Sequence, residues 1–279
     1  MREIECGQIT GAVKEALLKA GVTLPPDVAE ALRGAAGKET GRASHVLSRC
    51  LENLKVAEEE NLPICQDTGM VLFFCEIGRD VRLDGSLDGA LHKAVEEAYD
   101  EGFFRKSVVL DPCKDRKNSG NNLPPVIYHE LVEGNQLKIN LLLKGFGSEN
   151  CSRVHMLKPT GGREAVIDAV LQTVREGGGS PCPPIVVGIG LGGTMDKAAV
   201  LSKKALCRSL DSHHPDPWYD DLEKELLAKI NETGIGGGGL GGDITALGVK
   251  IATYPTHIAG MPLAITIQCW ADRKAEVIL

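Results

Sequence analysis

The stretch Ile64-Cys65-Gln66-Asp67-Thr68-Gly69-Met70-Val71-Leu72-Phe73-Phe74 separates two kinds of pattern. Before it, apolar residues recur at helical spacing over 10–20, 27–36 and 43–59, with Pro25 and Pro26 marking a helix start. From Met70 onward the pattern changes. Short runs rich in Val, Ile, Leu and Phe at 70–76, 126–132 and 137–143 read as strands, and 87–99 reads as an amphipathic helix. Further along, helices are expected over 164–176, 195–207 and 218–230, and strands over 185–187, 246–252 and 262–268. The fold class is therefore mixed α/β (α+β): a helical N-terminal region over about 1–60, then a mixed sheet flanked by helices over about 61–279. No repeat or long flexible linker forces a boundary, so a single domain is expected.

At 279 residues and 43% hydrophobic, the chain is long enough to bury a substantial core. The net charge of -7 and an aromatic content of 4%, with no basic stretch carrying interleaved aromatics, argue against nucleic acid as a partner. No apolar run is long enough to cross a bilayer and the first residues do not form a targeting signal, so a cytoplasmic location away from membranes is expected. In that compartment the nine cysteines should be reduced, free to pack in cores or to bind metal. None pair as Cys-x-x-Cys, and the seven histidines show no zinc-type spacing.

Two local patterns compete for a functional reading. Gly188-x-Gly190-x-x-Gly193 follows a strand and precedes a helix, as in dinucleotide-binding units, so a nicotinamide-dependent oxidoreductase is one alternative. Against it, the region about twenty residues on, Arg208 to Pro215, has no strand leading to its acid. The second pattern is Cys65-Gln66-Asp67, in which a thiol that can hold metal stands beside a carboxyl group that can move a proton. Cys182, braced in Pro181-Cys182-Pro183-Pro184, and Cys269, in Gln268-Cys269-Trp270, also sit at strand ends. Spacing alone does not place these thiols in one site. His257 occupies a turn in Thr256-His257-Ile258-Ala259-Gly260 before the last predicted strand. The glycine-rich segment 234–242 reads either as a turn or as an anion-binding loop.

Pro63-Ile64-Cys65-Gln66-Asp67-Thr68-Gly69, Asn118-Ser119-Gly120-Asn121-Asn122-Leu123-Pro124, Lys144-Gly145-Phe146-Gly147-Ser148-Glu149-Asn150, Pro181-Cys182-Pro183-Pro184, and Thr256-His257-Ile258-Ala259-Gly260 with Cys269-Trp270-Ala271 occur in this order. Together they resemble the alpha subunit of the two-subunit, iron–sulfur (class I) fumarate hydratases, whose sister family is the alpha subunit of L-tartrate dehydratase. The resemblance implies a four-iron four-sulfur cluster held by Cys65, Cys182 and Cys269 at strand ends and loops, with one iron lacking a protein ligand and free to act as a Lewis acid. It implies Asp67 as proton donor to the leaving hydroxyl, and His257 as a second catalytic residue. Substrate contacts by Gln66, Asp67, Arg105 and Gly147 follow from the same likeness, the Arg105 fork suiting a carboxylate. The reaction implied is reversible hydration of fumarate to L-malate, a step of the tricarboxylic acid cycle, completed by a separate beta subunit that carries the base at carbon. Thr256 to Gly260 and Gly147 to Asn150 favour fumarate, whereas Cys269-Trp270 is closer to the tartrate enzymes. A non-catalytic cluster-binding scaffold is the remaining alternative; it would need none of Asp67, Arg105 and His257.

Overall fold

A computed structural model describes residues 2–279, which group into two compact units. Unit one comprises the chain up to Pro25, Asn53–Phe146 and Arg273–Leu279. Unit two comprises Pro26–Glu52 and Gly147–Asp272. The helical start and the later mixture of strands and helices are as expected, and the chain passes between the units several times.

In unit one, strand β1 (Arg2–Ile4) leads into helix α1 (Cys6–Val22). After helix α2 (Pro26–Lys38) and the first half of α3 (Gly41–Glu60), which belong to unit two, the chain forms β2 (Met70–Gly78), β3 (Val81–Leu83) and α4 (Leu87–Glu101). Strands β4 (Val126–Val132) and β5 (Leu137–Lys144) follow, and β10 (Lys274–Ile278) returns at the C-terminus. The sheet order is β10-β5-β2-β4, with β2 parallel to β4 and antiparallel to β5. Alternation places Val71, Phe73 and Cys75 on one face of β2, where Ile9, Val13 and Leu17 of α1 and Leu91, Ala94 and Val95 of α4 join them in one buried cluster. Each such large side chain contributes roughly 1.5–3 kcal/mol by leaving water. Ser86 caps α4 by accepting the Gly89 N–H at 3.1 Å.

Unit two contains the short helix-forming turn α5 (Phe146–Glu149, shared at its first residue with unit one), β6 (Arg153–Leu157), α6 (Gly162–Gly177), β7 (Ile185–Gly192) and α7 (Met195–Leu206). Helix α8 (Pro217–Asn231) and strands β8 (Ala246–Tyr254) and β9 (Met261–Gln268) complete it. The order is β6-β9-β7-β8, with β7 parallel to β8 and antiparallel to β9. One core gathers Val187 and Ile189 with Ile265 and Ile267, closed by Val170 and Val174 of α6 and Leu222, Leu226 and Ile230 of α8. The other face of β7 takes α7 at close range. A Cβ on Gly188 would lie 2.1 Å from the Ser202 carbonyl oxygen, and one on Gly190 2.0 Å from that of Ala198. These glycines of the apparent dinucleotide fingerprint therefore serve helix-on-sheet packing, and the parallel neighbour β8 ends in Thr253-Tyr254 without a ribose-binding acid.

Candidate active site

The turn before β2 is held by its main chain. The Ile64 N–H donates to Gly21 O at 3.0 Å, and Asn53 Nδ2 donates to Ile64 O at 2.8 Å. Beyond it, three successive carbonyls are gripped by buried side chains of unit one. Arg273, 1% exposed, donates from Nη2 to Asp67 O at 2.7 Å. The Tyr99 hydroxyl lies 3.0 Å from both Thr68 O and Gly69 O, and Asn122 Nδ2 donates to Gly69 O at 3.2 Å. Burial pushes the Tyr99 phenol up, so it stays a hydrogen-bond donor at neutral pH.

This clamp fixes the direction of Asp67. Its carboxylate accepts the Gly69 N–H on Oδ1 at 3.1 Å and the Phe146 N–H on Oδ2 at 2.8 Å. Gly145 is needed beside it, since a Cβ there would stand 3.1 Å from Asp67 Oδ2. Each carboxylate oxygen keeps a further lone-pair direction for a proton or a ligand group. Cys65 is half-buried and points its thiol at Gln66 Oε1 (3.4 Å). Arg105 is tied in through its backbone, its carbonyl accepting from Thr68 Oγ1 at 2.9 Å, while its side chain is exposed. Asn122, fully buried, organises this second segment by accepting the Ser107 and Val108 N–H groups at 2.8 and 3.2 Å. Cys65, Gln66, Asp67 and Arg105 thus share unit one.

In unit two, Cys182 is exposed and adopts φ +55, a left-handed conformation uncommon for a residue with a side chain. Main-chain bonds hold it there. Its N–H donates to Gly179 O at 3.1 Å, its carbonyl accepts from Trp270 N at 3.3 Å, and Pro183 O accepts from Gly238 N at 2.8 Å. The Trp270 bond brings the Cys182 and Cys269 segments together. A third thiol stands near: Cys50 is buried and pushed up to about 11, by burial first and then by the neighbouring Cys182 and Cys269. Gly147 is exposed, and its carbonyl lies 3.5 Å from the Cys151 thiol.

His257 is elsewhere. Strand β9 runs the length of the sheet between it and Cys269, which at the rise of an extended chain puts the two residues about 25 Å apart. The Thr256 hydroxyl donates to Gly193 O at 2.9 Å, at the β7 end opposite to Cys182. Among the described residues no three or more His, Cys, Asp or Glu side chains are gathered in a ready-made metal site.

A protein-family model described as "Fumarate hydratase (Fumerase)" matches residues 10–278. The chain belongs to this hydro-lyase family. A protein of Methanocaldococcus jannaschii named "Putative L(+)-tartrate dehydratase subunit alpha" is 44% identical over 275 residues, covering 96% of each chain. The "L(+)-tartrate dehydratase subunit alpha" of Escherichia coli O157:H7 is 31% identical, covering 92% of this chain and 86% of its own. Like other members of the Fumerase family, the chain has the class I hydro-lyase alpha-subunit function, and membership implies an iron–sulfur cofactor. The donor chemistry fits such a group. Cys65, Cys182 and Cys269 are all thiols outside any disulfide, none fully buried, and two of them adjoin in unit two. No helix is long and apolar enough to cross a membrane among the described residues.

Tyr99, Asn122 and Arg273 are the participants that sequence reasoning passed over. Asn122 lies inside a family-like motif with no role visible until Gly69 and Ser107 are seen to meet on it. For Arg273 a signal exists: Asp272-Arg273-Lys274 places three charged residues after Cys269-Trp270-Ala271 at the end of a buried strand, an arrangement that solvent alone does not explain once all three are buried.

Proposed function

We propose that the chain is the alpha subunit of an iron–sulfur hydro-lyase that removes water from a hydroxy dicarboxylate, with L-tartrate as first substrate and L-malate second. The reaction type is carried by the Asp67 carboxylate, held by two main-chain N–H groups two residues from Cys65. Tartrate is favoured by the 44% identical relative that bears its name and by Trp270 after Cys269. The expectation of fumarate gives way on this point, since one of its two supports, Thr256 to Gly260, lies at the sheet end remote from Cys269. Malate is retained because the matching family model is described as a fumarate hydratase.

Cys65, Cys182 and Cys269 would hold a four-iron four-sulfur cluster, whose open iron, when bound, polarises the leaving hydroxyl as a Lewis acid. Asp67 gives a proton to that hydroxyl oxygen, a contribution of typically about a hundred- to ten-thousand-fold. Gln66 presents an amide beside the Cys65 thiol, and the exposed Arg105 guanidinium takes a substrate carboxylate in a two-pronged bond. Gly147, exposed and without a side chain, lets a substrate oxygen approach the main chain. The base at carbon comes from a beta subunit.

Anaerobic reconstitution with iron and sulfide tests the ligand set. Visible absorption should be lost in Cys65→Ala, Cys182→Ala and Cys269→Ala and kept in Cys151→Ala; loss in Cys151→Ala with retention in Cys182→Ala would overturn the assignment. With the beta subunit added, tartrate should turn over faster than malate. The opposite ranking makes the enzyme a fumarate hydratase, and full activity without a beta subunit removes the need for one.

A further inference from the structure

The glycine-rich segment 234–242 takes part in no step of the proposed chemistry, yet it is fixed more tightly than a plain turn requires. Its N–H groups are spent inside the protein. That of Gly236 donates to Thr245 Oγ1 at 3.1 Å, and those of Gly239, Leu240 and Gly241 donate to carbonyls of the same loop. The Gly238 N–H reaches outside it, to Pro183 O at 2.8 Å. A loop whose donors are occupied in this way braces a neighbour and has little left with which to cradle an anion.

The outgoing arm of the loop is held by a carboxylate from a distant part of the same unit. Glu39, 7% exposed, lies between α2 and α3, where its own N–H donates to Ala35 O at 3.1 Å. Its Oε1 accepts the Ile244 N–H at 2.5 Å. Gly242 passes so close that a Cβ there would stand 2.7 Å from both Glu39 Oε1 and Ala43 Cβ. The base of the loop is closed separately, by Asn231 Oδ1 accepting the N–H groups of Thr245 and Ala246, each at 2.8 Å. From the arm, contact runs inward to both sides of Cys182. Gly239 lies against Gly179, whose carbonyl accepts the Cys182 N–H at 3.1 Å, and Gly238 bonds to Pro183 on the other side.

We propose that Glu39 is a positioning residue for Cys182. By holding Gly242 to Ile244 it keeps the glycine loop against Gly179 and Pro183, and so fixes the left-handed backbone that presents the Cys182 thiol. A buried carboxylate suits this task because its bond to a main-chain N–H is stronger than one between neutral groups. The consequence for cluster binding rests on the hydro-lyase reading; the mechanical link from Glu39 to Cys182 does not.

The test has two readouts on the full chain: amide hydrogen exchange without a cluster, and loss of visible absorption to an iron chelator after reconstitution with iron and sulfide. In Glu39→Ala the Gly238 and Cys182 amides should exchange about tenfold or more faster, while the Ile189 amide in β7 keeps its wild-type rate. The cluster should then be lost several-fold faster. Glu39→Gln, which keeps an acceptor oxygen at the same reach, should restore both readouts, and Glu39→Asp, one methylene shorter, gives the same comparison should the alanine variant not fold. Unchanged exchange at Gly238 and Cys182, equal acceleration at Ile189, or a cluster held as firmly as in wild type each overturns the positioning role. Failure of wild type to take up a cluster would refute the proposed function while the amide rates still decide the link to Cys182. An active hydro-lyase with unchanged amide rates in Glu39→Ala would refute the link alone.

Discussion

The Cys65 to Gly69 turn of unit one and the Pro181 to Pro184 turn of unit two both present a cysteine, yet they are held by opposite means. The first is gripped by side chains from distant parts of the chain, Arg273, Tyr99 and Asn122, each buried and each bonded to a carbonyl. The second is held by main chain on main chain, with Gly179 and Gly238 bonding to Cys182 and Pro183. Side-chain clamps fix the angle of a neighbouring group, which an acid such as Asp67 requires. A glycine-lined turn instead leaves its thiol exposed while the backbone around it stays close-packed. The two turns should therefore fail under different substitutions.

Gly239→Ala should do the most damage. Gly239 has φ +74, and a Cβ there would lie 2.5 Å from Gly179 Cα, a backbone atom that cannot step aside. Left-handed strain of about 1–2 kcal/mol and overpacking of about 1–3 kcal/mol together should lower the denaturant midpoint markedly and free the Cys182 turn. A midpoint within error of wild type would show that unit two does not depend on this contact.

Arg273→Met breaks the other turn without adding volume to a glycine contact. Asp67 O loses its partner in a buried setting, a cost of about 1–3 kcal/mol. Because the Asp67 carboxylate is aimed by its own backbone, kcat of the reconstituted enzyme should fall at least tenfold while the cluster absorption persists. Arg273→Lys, which can still reach with one donor, should recover part of the loss. If kcat holds and only stability falls, Arg273 is a packing residue and the clamp does not position the acid.

These effects mark where sequence reading was sufficient. Strands such as Met70–Gly78 and Met261–Gln268 announce themselves because both faces are buried and apolar. Arg153–Leu157 does not, since its mostly exposed pattern on the sheet edge resembles a loop. The separation of His257 from Cys269 was in fact legible: a strand predicted over 262–268 between them already implies a span of more than 20 Å. What could not be read is the clamp on Asp67, for it joins residues 67, 99, 122 and 273 through contacts that exist only after the sheet of unit one has formed.

The smallest expected effect concerns the thiol that unit one buries, set against the one that unit two exposes. Cys75 is 1% exposed on the helix-facing side of β2, and burial first, then the Asp88 charge, pushes its thiol up to about 12 from an ordinary value near 9. A folded-state value above the unfolded one means that the folded chain holds its proton more tightly, so the stability linked to Cys75 is fully present below about pH 9 and is lost as pH rises toward 12. Wild type compared with Cys75→Val should accordingly show a difference in unfolding free energy that is flat from pH 7 to 8.5 and declines above pH 9. Cys182 of unit two is exposed rather than buried; in that unit the comparison is Val187→Ala, which alters a buried site without a titratable group and should show no such decline. A parallel fall in both variants would mean that alkaline loosening begins outside the β2 core, and that the buried Cys75 thiol does not govern the response.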